Sequence, residues 1–197
     1  QFGVSLIGGD TTQSPHLTIS VTALGWVDIG QAVTRSAAQV GDLICVSGTV
    51  GDAAFALQHL GHPLQRRLDY PTPRCELGQA LKGLAHSMID VSDGLAQDLS
   101  HILKASHVGA TLQLDQLPIN TALQDVTREQ QWQYALAGGD DYELCFTISP
   151  QNYEKLLQQQ NHSSISVIGK IDAESGLRFQ QNGLDHSLQF NGYQHFA

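Results

Sequence analysis

A chain of 197 residues that is 41% hydrophobic and 15% charged carries enough apolar material for one large core or two small ones, which excludes a disordered segment. Its 10 Lys and Arg against 19 Asp and Glu give a formal charge of -9, a surface that repels nucleic acid and anionic membrane unless cations intervene. No apolar run approaches the roughly 18 to 20 residues of a spanning helix and no basic start precedes a short apolar stretch, so the expected location is the cytoplasm.

The chain opens at Gln1 inside an apolar stretch of Phe2, Val4, Leu6 and Ile7, and its only methionine is Met88. This predicts a strand belonging to a piece of a longer polypeptide, with some functional groups upstream. A first acidic loop, Gly8-Gly9-Asp10-Thr11-Thr12, follows, and after Pro15 an alternating run over 17–27 reads as a second strand. The stretch that follows is small and polar, punctuated by Gly30 and Gly41, and places a domain boundary near residue 30. Residues 1–30 are expected to close one domain and 31–197 to form another.

From Leu43 the pattern alternates. It predicts a strand over 45–47, a helix over 52–59, a loop rich in Pro63, Pro71 and Pro73, and a helix over 74–85. A second acidic loop, Asp90-Val91-Ser92-Asp93-Gly94, precedes Leu95, Leu99, Ile102 and Leu103, whose i, i+4, i+7, i+8 spacing is that of a helix with one buried face. Further strands are expected over 110–114, 142–148, 164–171 and 177–179, and helices over 121–134 and 151–160. The mixture predicts an α+β fold, a mixed sheet with helices packed on it.

The three cysteines, Cys45, Cys75 and Cys145, sit among apolar neighbours and read as reduced core residues. The nine histidines include no H-E-x-x-H, and the closest pair, His59 and His62, flanks Gly61 at an expected helix end, so zinc is not expected.

Chemistry concentrates in three glycine-based acidic loops, the third being Gly138-Gly139-Asp140-Asp141-Tyr142-Glu143, and none contains Lys or Arg. Carboxylates at such turns suit hard divalent cations such as Mg2+, which take oxygen ligands and keep waters that bridge to phosphate. In the first loop Gly8 and Gly9 permit close approach of a ligand, Asp10 can hold a metal, and Thr11 and Thr12 offer hydroxyls. A hairpin turn in which Asp10 bonds its own backbone explains the same spacing equally well. The second loop is a strand-to-helix junction, which presents unpaired N–H groups to a phosphate. If its turn is helical, Asp90 and Asp93 lie about 5 to 6 Å apart and can share ions. The alternative is a helix cap by Ser92 or Asp93 alone. The third loop, taken by spacing alone, is a turn ahead of a strand.

Taken together, L-I-G-G-D-T-T at 6–12, T-R-S at 34–36, I-D-V-S-D-G at 89–94, G-G-D-D-Y-E-L-C-F at 138–146 and G-Y-Q-H-F at 192–196 resemble the thiamine-monophosphate kinase family in order and separation along the whole chain. That family is similar to the aminoimidazole-ribotide-synthetase-like ATP enzymes, which join an N-terminal nucleotide-binding domain to an α+β C-terminal domain. The resemblance implies that residues 1–30 are the end of that N-terminal domain. It implies that Gly9, Asp10, Arg35 and Ser92 contact ATP, that Asp10, Asp90 and Asp93 hold several Mg2+ ions, and that Asp140 and Tyr193 hold thiamine monophosphate. It also implies a homodimer for the complete enzyme, and no acid–base or nucleophilic side chain. Many relatives carry Glu where this chain has Asp140, and the family's N-terminal acidic motifs would precede Gln1. Two alternatives stand beside this reading: another ATP-dependent synthetase or maturation enzyme of the same superfamily, and a non-catalytic fragment.

Overall fold

The computed structural model describes residues 3–159 and 165–188. The chain divides into two compact units, Gln1–Ala32 and Val33–Ala197. Across residues 3–32 neither expected strand forms, and Leu6, Ile7, Leu17, Ile19, Val21 and Trp26 are all exposed. An alternating segment becomes a strand only when another edge satisfies its N–H and C=O groups, and among the described residues these find none.

The second unit is built on a mixed seven-stranded sheet in the order β2-β4-β1-β5-β3-β6-β7. Its strands are β1 (Leu43–Ser47), β2 (Ala85–Asp90), β3 (Gly109–Gln113), β4 (Leu144–Ile148), β5 (Ile165–Asp172), β6 (Gly176–Gln181) and β7 (Leu184–His186). Neighbours are antiparallel except β3 and β6. The helices are α1 (Asp52–Gln58), α2 (Gln65–Asp69), α3 (Cys75–Ala80), α4 (Leu95–Ser106), α5 (Arg128–Ala137) and α6 (Pro150–Gln158). This is the α+β architecture that the pattern predicts. No helix among the described residues is long and apolar enough to cross a membrane.

Side-chain alternation gives β1 and β4 an apolar set on each face, because both faces of the sheet are covered there. Ile44 and Val46 of β1 turn to one face and pack with Leu95, Leu99 and Ile102 of α4 and Trp132 and Leu136 of α5. Cys45 turns to the other, with Phe146 and Ile148 of β4, Leu77 of α3 and Leu156 of α6. Burial pushes the Cys45 and Cys145 thiols up, Cys145 to about 12. Cys75 departs from the expectation: it is exposed at the start of α3.

Other departures have local causes. The helix expected over 74–85 stops at Ala80, because Gly83 enters the left-handed region at φ 75° and the chain turns into β2. The helix expected over 121–134 divides at Thr127, whose hydroxyl accepts from Gln130 N–H and caps α5. The short helix α2 fits between Pro63 and Pro71. Asn182 and Gly183, with φ 51° and 77°, make a tight turn into β7 that the Asn-Gly pair could have announced.

One feature of this topology places the site. The strands β2 and β4 are antiparallel neighbours with Asp90 opposite Leu144, so the loop leaving β2 and the loop entering β4 meet at the same end of the sheet.

Candidate active site

The two loops are joined by backbone. Val91 N–H donates to Glu143 O at 2.8 Å, Tyr142 N–H to Val91 O at 2.8 Å and Asp140 N–H to Ser92 O at 3.0 Å. These bonds extend the β2–β4 ladder beyond its last regular pair. Glycine makes the approach possible: a Cβ on Gly139 would lie 2.2 Å from Ser92 O, while Gly138 fits the turn out of α5 against α1, where a Cβ would meet Tyr134 O and Ala54 Cβ. Gly94, at φ 110°, lies against the end of α5, where a Cβ would meet Leu136 O at 2.9 Å.

Two buried carboxylates hold the loops from inside. Asp98, in α4, accepts from Ser92 N–H at 2.9 Å and Asp93 N–H at 3.0 Å. Its own pKa is raised by burial, against those two hydrogen bonds. The expectation that this junction offers free N–H groups to a phosphate is therefore corrected for Ser92 and Asp93. The turn is also not helical. Asp90 ends β2, residues 91–94 bend, and α4 begins after Gly94 with no side-chain cap, so neither the helical Asp90–Asp93 spacing nor a Ser92 or Asp93 cap applies.

The second carboxylate is Asp141. It is 5% exposed and accepts from Gly51 N–H at 2.6 Å and Ala53 N–H at 3.2 Å, closing the start of α1. Burial lifts its pKa to about 7, because loss of hydration outweighs the two donors.

Beside it lies a polar cluster that sequence reasoning missed. Glu143, 1% exposed, takes Arg67 Nη2 at 2.9 Å, Arg74 Nε at 2.7 Å and the Ser47 hydroxyl at 2.5 Å. Arg67 Nε also reaches Asp52 at 3.3 Å. Gly48, at φ 60°, leaves room for the Glu143 carboxylate, which a Cβ there would strike at 2.3 Å. A signal existed: Glu143 is in phase with buried Cys145 and Thr147 along the strand, and an inward carboxylate needs a cation.

With Asp141 and Glu143 turned inward, Asp140 and Tyr142 turn outward. Both have left-handed backbone, at φ 67° and 51°. They border a cleft of about 500 Å³ whose walls are Ala54, Leu57 and Gln58 of α1, Ser92 and Asp93, and the end of α5 through Ala137, Gly138 and Gly139. Among the described residues no Lys, Arg or His lines it. The C-terminal end of α5 adds partial negative charge. Asp90, exposed at the end of β2, and Asp93 both raise the pKa of Tyr142, after burial and the adjacent Asp140. The cleft therefore favours cations and repels a bare phosphate.

The other expected site residues lie elsewhere. Arg35 is exposed and does not line the cleft; its carbonyl accepts from Ser106 Oγ at the last residue of α4, and its neighbour Thr34 accepts through O from Met88 N–H of β2 at 3.0 Å. Asp10 belongs to the first unit, where its carboxylate accepts from Thr11 N–H at 2.7 Å. A Cβ on Gly9 would meet nothing within 4 Å. Tyr193 lies outside the described residues. No group of three or more acidic, His or Cys side chains stands ready to hold a metal among the described residues. A magnesium ion here would draw its remaining ligands from water and phosphate.

Residues 39–182 match the family described as AIR synthase related protein, C-terminal domain. The chain belongs to this AIR synthase related family. It is 44% identical over 213 residues to the thiamine-monophosphate kinase of Haemophilus influenzae, a match covering all of this chain and 65% of that protein. The chain thus spans about 65% of the length of the curated relatives it matches. The crystal structure of thiamine-monophosphate kinase from Stenotrophomonas maltophilia superposes with TM-score 0.73 at 40% identity, covering 81% of this chain and 56% of that one. The structure of AaThiL complexed with AMPPCP and TMP superposes with TM-score 0.67 at 27% identity, covering 83% and 54%.

Two predictions follow from the AIR-synthase-related unit itself. Replacement of Glu143 by Gln leaves Arg67 and Arg74 facing an uncharged amide and should lower unfolding stability by about 3 kcal/mol, measured by urea titration; a loss under about 0.5 kcal/mol would show the cluster to be incidental. For Asp141, a carboxyl-carbon NMR titration should give a midpoint of about 7. Since the folded state then binds the proton more tightly than the unfolded chain, its stabilising contribution is complete below about pH 4 and is lost as pH rises through about 7. A midpoint near 4 would contradict this.

Proposed function

We propose that this chain forms part of an ATP-dependent, Mg2+-dependent kinase that converts thiamine monophosphate to thiamine diphosphate. The observation that carries the reading is the convergence of the second and third loops on one acidic cleft that no basic side chain lines among the described residues, in a chain 44% identical to a thiamine-monophosphate kinase. AMPPCP and TMP in the structure of a neighbour of the same fold support ATP and thiamine monophosphate as the two substrates.

The chemistry asks little of protein acids or bases. A phosphate monoester with a second pKa of about 6 is mostly dianionic at neutral pH, so its oxygen attacks without giving up a proton. One P–O bond forms to the γ-phosphorus of ATP as the bond to the departing ADP oxygen breaks. Catalysis then rests on placement and charge neutralisation. Mg2+, when bound, neutralises phosphate against carboxylate. In this reading Asp90 and Asp93, with Asp10 of the first unit, anchor the ions, while Ser92, Gly9, Asp10 and Arg35 serve ATP. Asp140 holds the cationic acceptor, assisted by Tyr193. We retain residues 1–30 as the end of a nucleotide-binding domain. The homodimer rests on the resemblance, and the absence of nucleic acid and of anionic membrane among the partners on the acidic charge; we retain the cytoplasm as the expected location. Another ATP-dependent enzyme of the superfamily would share the acidic cleft and not select thiamine monophosphate.

Replacement of Asp93 by Asn in the complete polypeptide should lower turnover at limiting Mg2+ by about 100-fold or more, with the thermal melting curve unchanged; undiminished turnover would remove its metal role. For Asp140→Ala we expect the thiamine monophosphate dissociation constant to rise about 10-fold or more and that of Mg-ATP to stay the same, read by calorimetry. An unaltered acceptor constant would reject the assignment.

A further inference from the structure

Tyr142 is placed at a cost. A bulky aromatic residue with φ 51° sits in a region that L residues avoid. The usual compensation, burial of the ring, is missing: Tyr142 is 41% exposed and joins none of the three apolar clusters. Its neighbours explain how the conformation is held. Asp141 is fixed at the start of α1, Glu143 is fixed by two arginines, and the Tyr142 N–H is fixed on Val91 O. The loop is therefore anchored at three points whose combined effect is to turn this one ring into the cleft, where its hydroxyl donates to Asp140 Oδ1 at 3.2 Å.

We propose that Tyr142 is a second acceptor-binding residue, its ring serving as a wall for a cationic heteroaromatic ring and its hydroxyl orienting the Asp140 carboxylate toward the same cation. An aromatic face carries negative potential and attracts a cation most strongly where water is partly excluded. The surroundings have the same sign: after burial, the carboxylates of Asp140, Asp90 and Asp93 add to the raising of the Tyr142 pKa. A metal alone would need the carboxylates and not a ring, whereas a flat organic cation uses both. This inference rests on the proposed acceptor, and thiamine monophosphate, with its positively charged thiazolium, is the probe.

The test compares thiamine monophosphate with thiochrome monophosphate, its oxidised form, which keeps the phosphate and whose fused ring carries no positive charge, by calorimetry on the complete polypeptide. Tyr142→Leu keeps bulk and loses the face. It should raise the dissociation constant for thiamine monophosphate about 10-fold and that for thiochrome monophosphate less than about 2-fold, with Mg-ATP binding unchanged. Tyr142→Phe keeps the face and should raise the thiamine monophosphate constant only about 3-fold. In the unaltered protein, independently of any variant, NOEs should connect the Tyr142 ring protons to the thiazolium methyl group. Equal losses for the charged and uncharged probes, or no NOE in a complex that does form, would overturn the inference and leave the proposed function standing. Failure of the unaltered protein to bind thiamine monophosphate would overturn both.

Discussion

Three backbone hydrogen bonds between the loop leaving β2 and the loop entering β4 determine nearly everything else about the site. They bring together segments that lie about fifty residues apart in sequence, and they do so with main-chain groups. Their condition is the absence of a Cβ atom at Gly139, which would collide with Ser92 O of the opposing loop. Given that close approach, residues of the third loop must alternate. Asp141 and Glu143 go inward, Asp140 and Tyr142 outward, and two left-handed backbone conformations absorb the mismatch with a regular strand.

The same alternation sorts the carboxylates by task. Asp98, Asp141 and Glu143 are buried and bonded to N–H groups, a hydroxyl or guanidinium groups, so they stabilise loops and add little to the field of the cleft. Asp90, Asp93 and Asp140 remain toward solvent, and among the described residues no basic side chain lines the cleft beside them. The two arginines close in space to the third loop are turned onto Glu143 and cannot serve phosphate while they hold it. An anion can enter such a place only in company with cations, and an organic cation can enter by itself. Both halves of the proposed reaction, a metal-borne triphosphate and a thiazolium acceptor, meet that electrostatic condition.

Much of the fold was legible because apolar spacing is a local signal. Leu95, Leu99, Ile102 and Leu103 describe α4, and β1 and β4 stand where their apolar runs do. The second and third loops were legible as acidic glycine turns, and as parts of one family pattern. What was not legible depends on contacts distant in the chain. Arg67 and Arg74 look like solvated charges until Glu143, 76 and 69 residues away, is folded against them. Asp98 looks like a polar position on an amphipathic helix until the preceding loop bends back over it. The strands expected within residues 3–32 fail for the converse reason. Their alternation is real, but a strand is a relation between two segments, and the described residues supply no partner.

The central claim is that the carboxylates left facing the cleft gather a divalent cation with nucleotide. Paramagnetic broadening by Mn2+ in place of Mg2+, recorded on amide resonances in the presence of a non-hydrolysable ATP analogue, examines it most directly. The amides of Ser92, Asp93, Asp140 and Tyr142 should broaden first, with those of β3 and β6, on the far side of β1 and β5, left sharp. Broadening that spares the two loops, or spreads evenly over the acidic surface, would contradict the account.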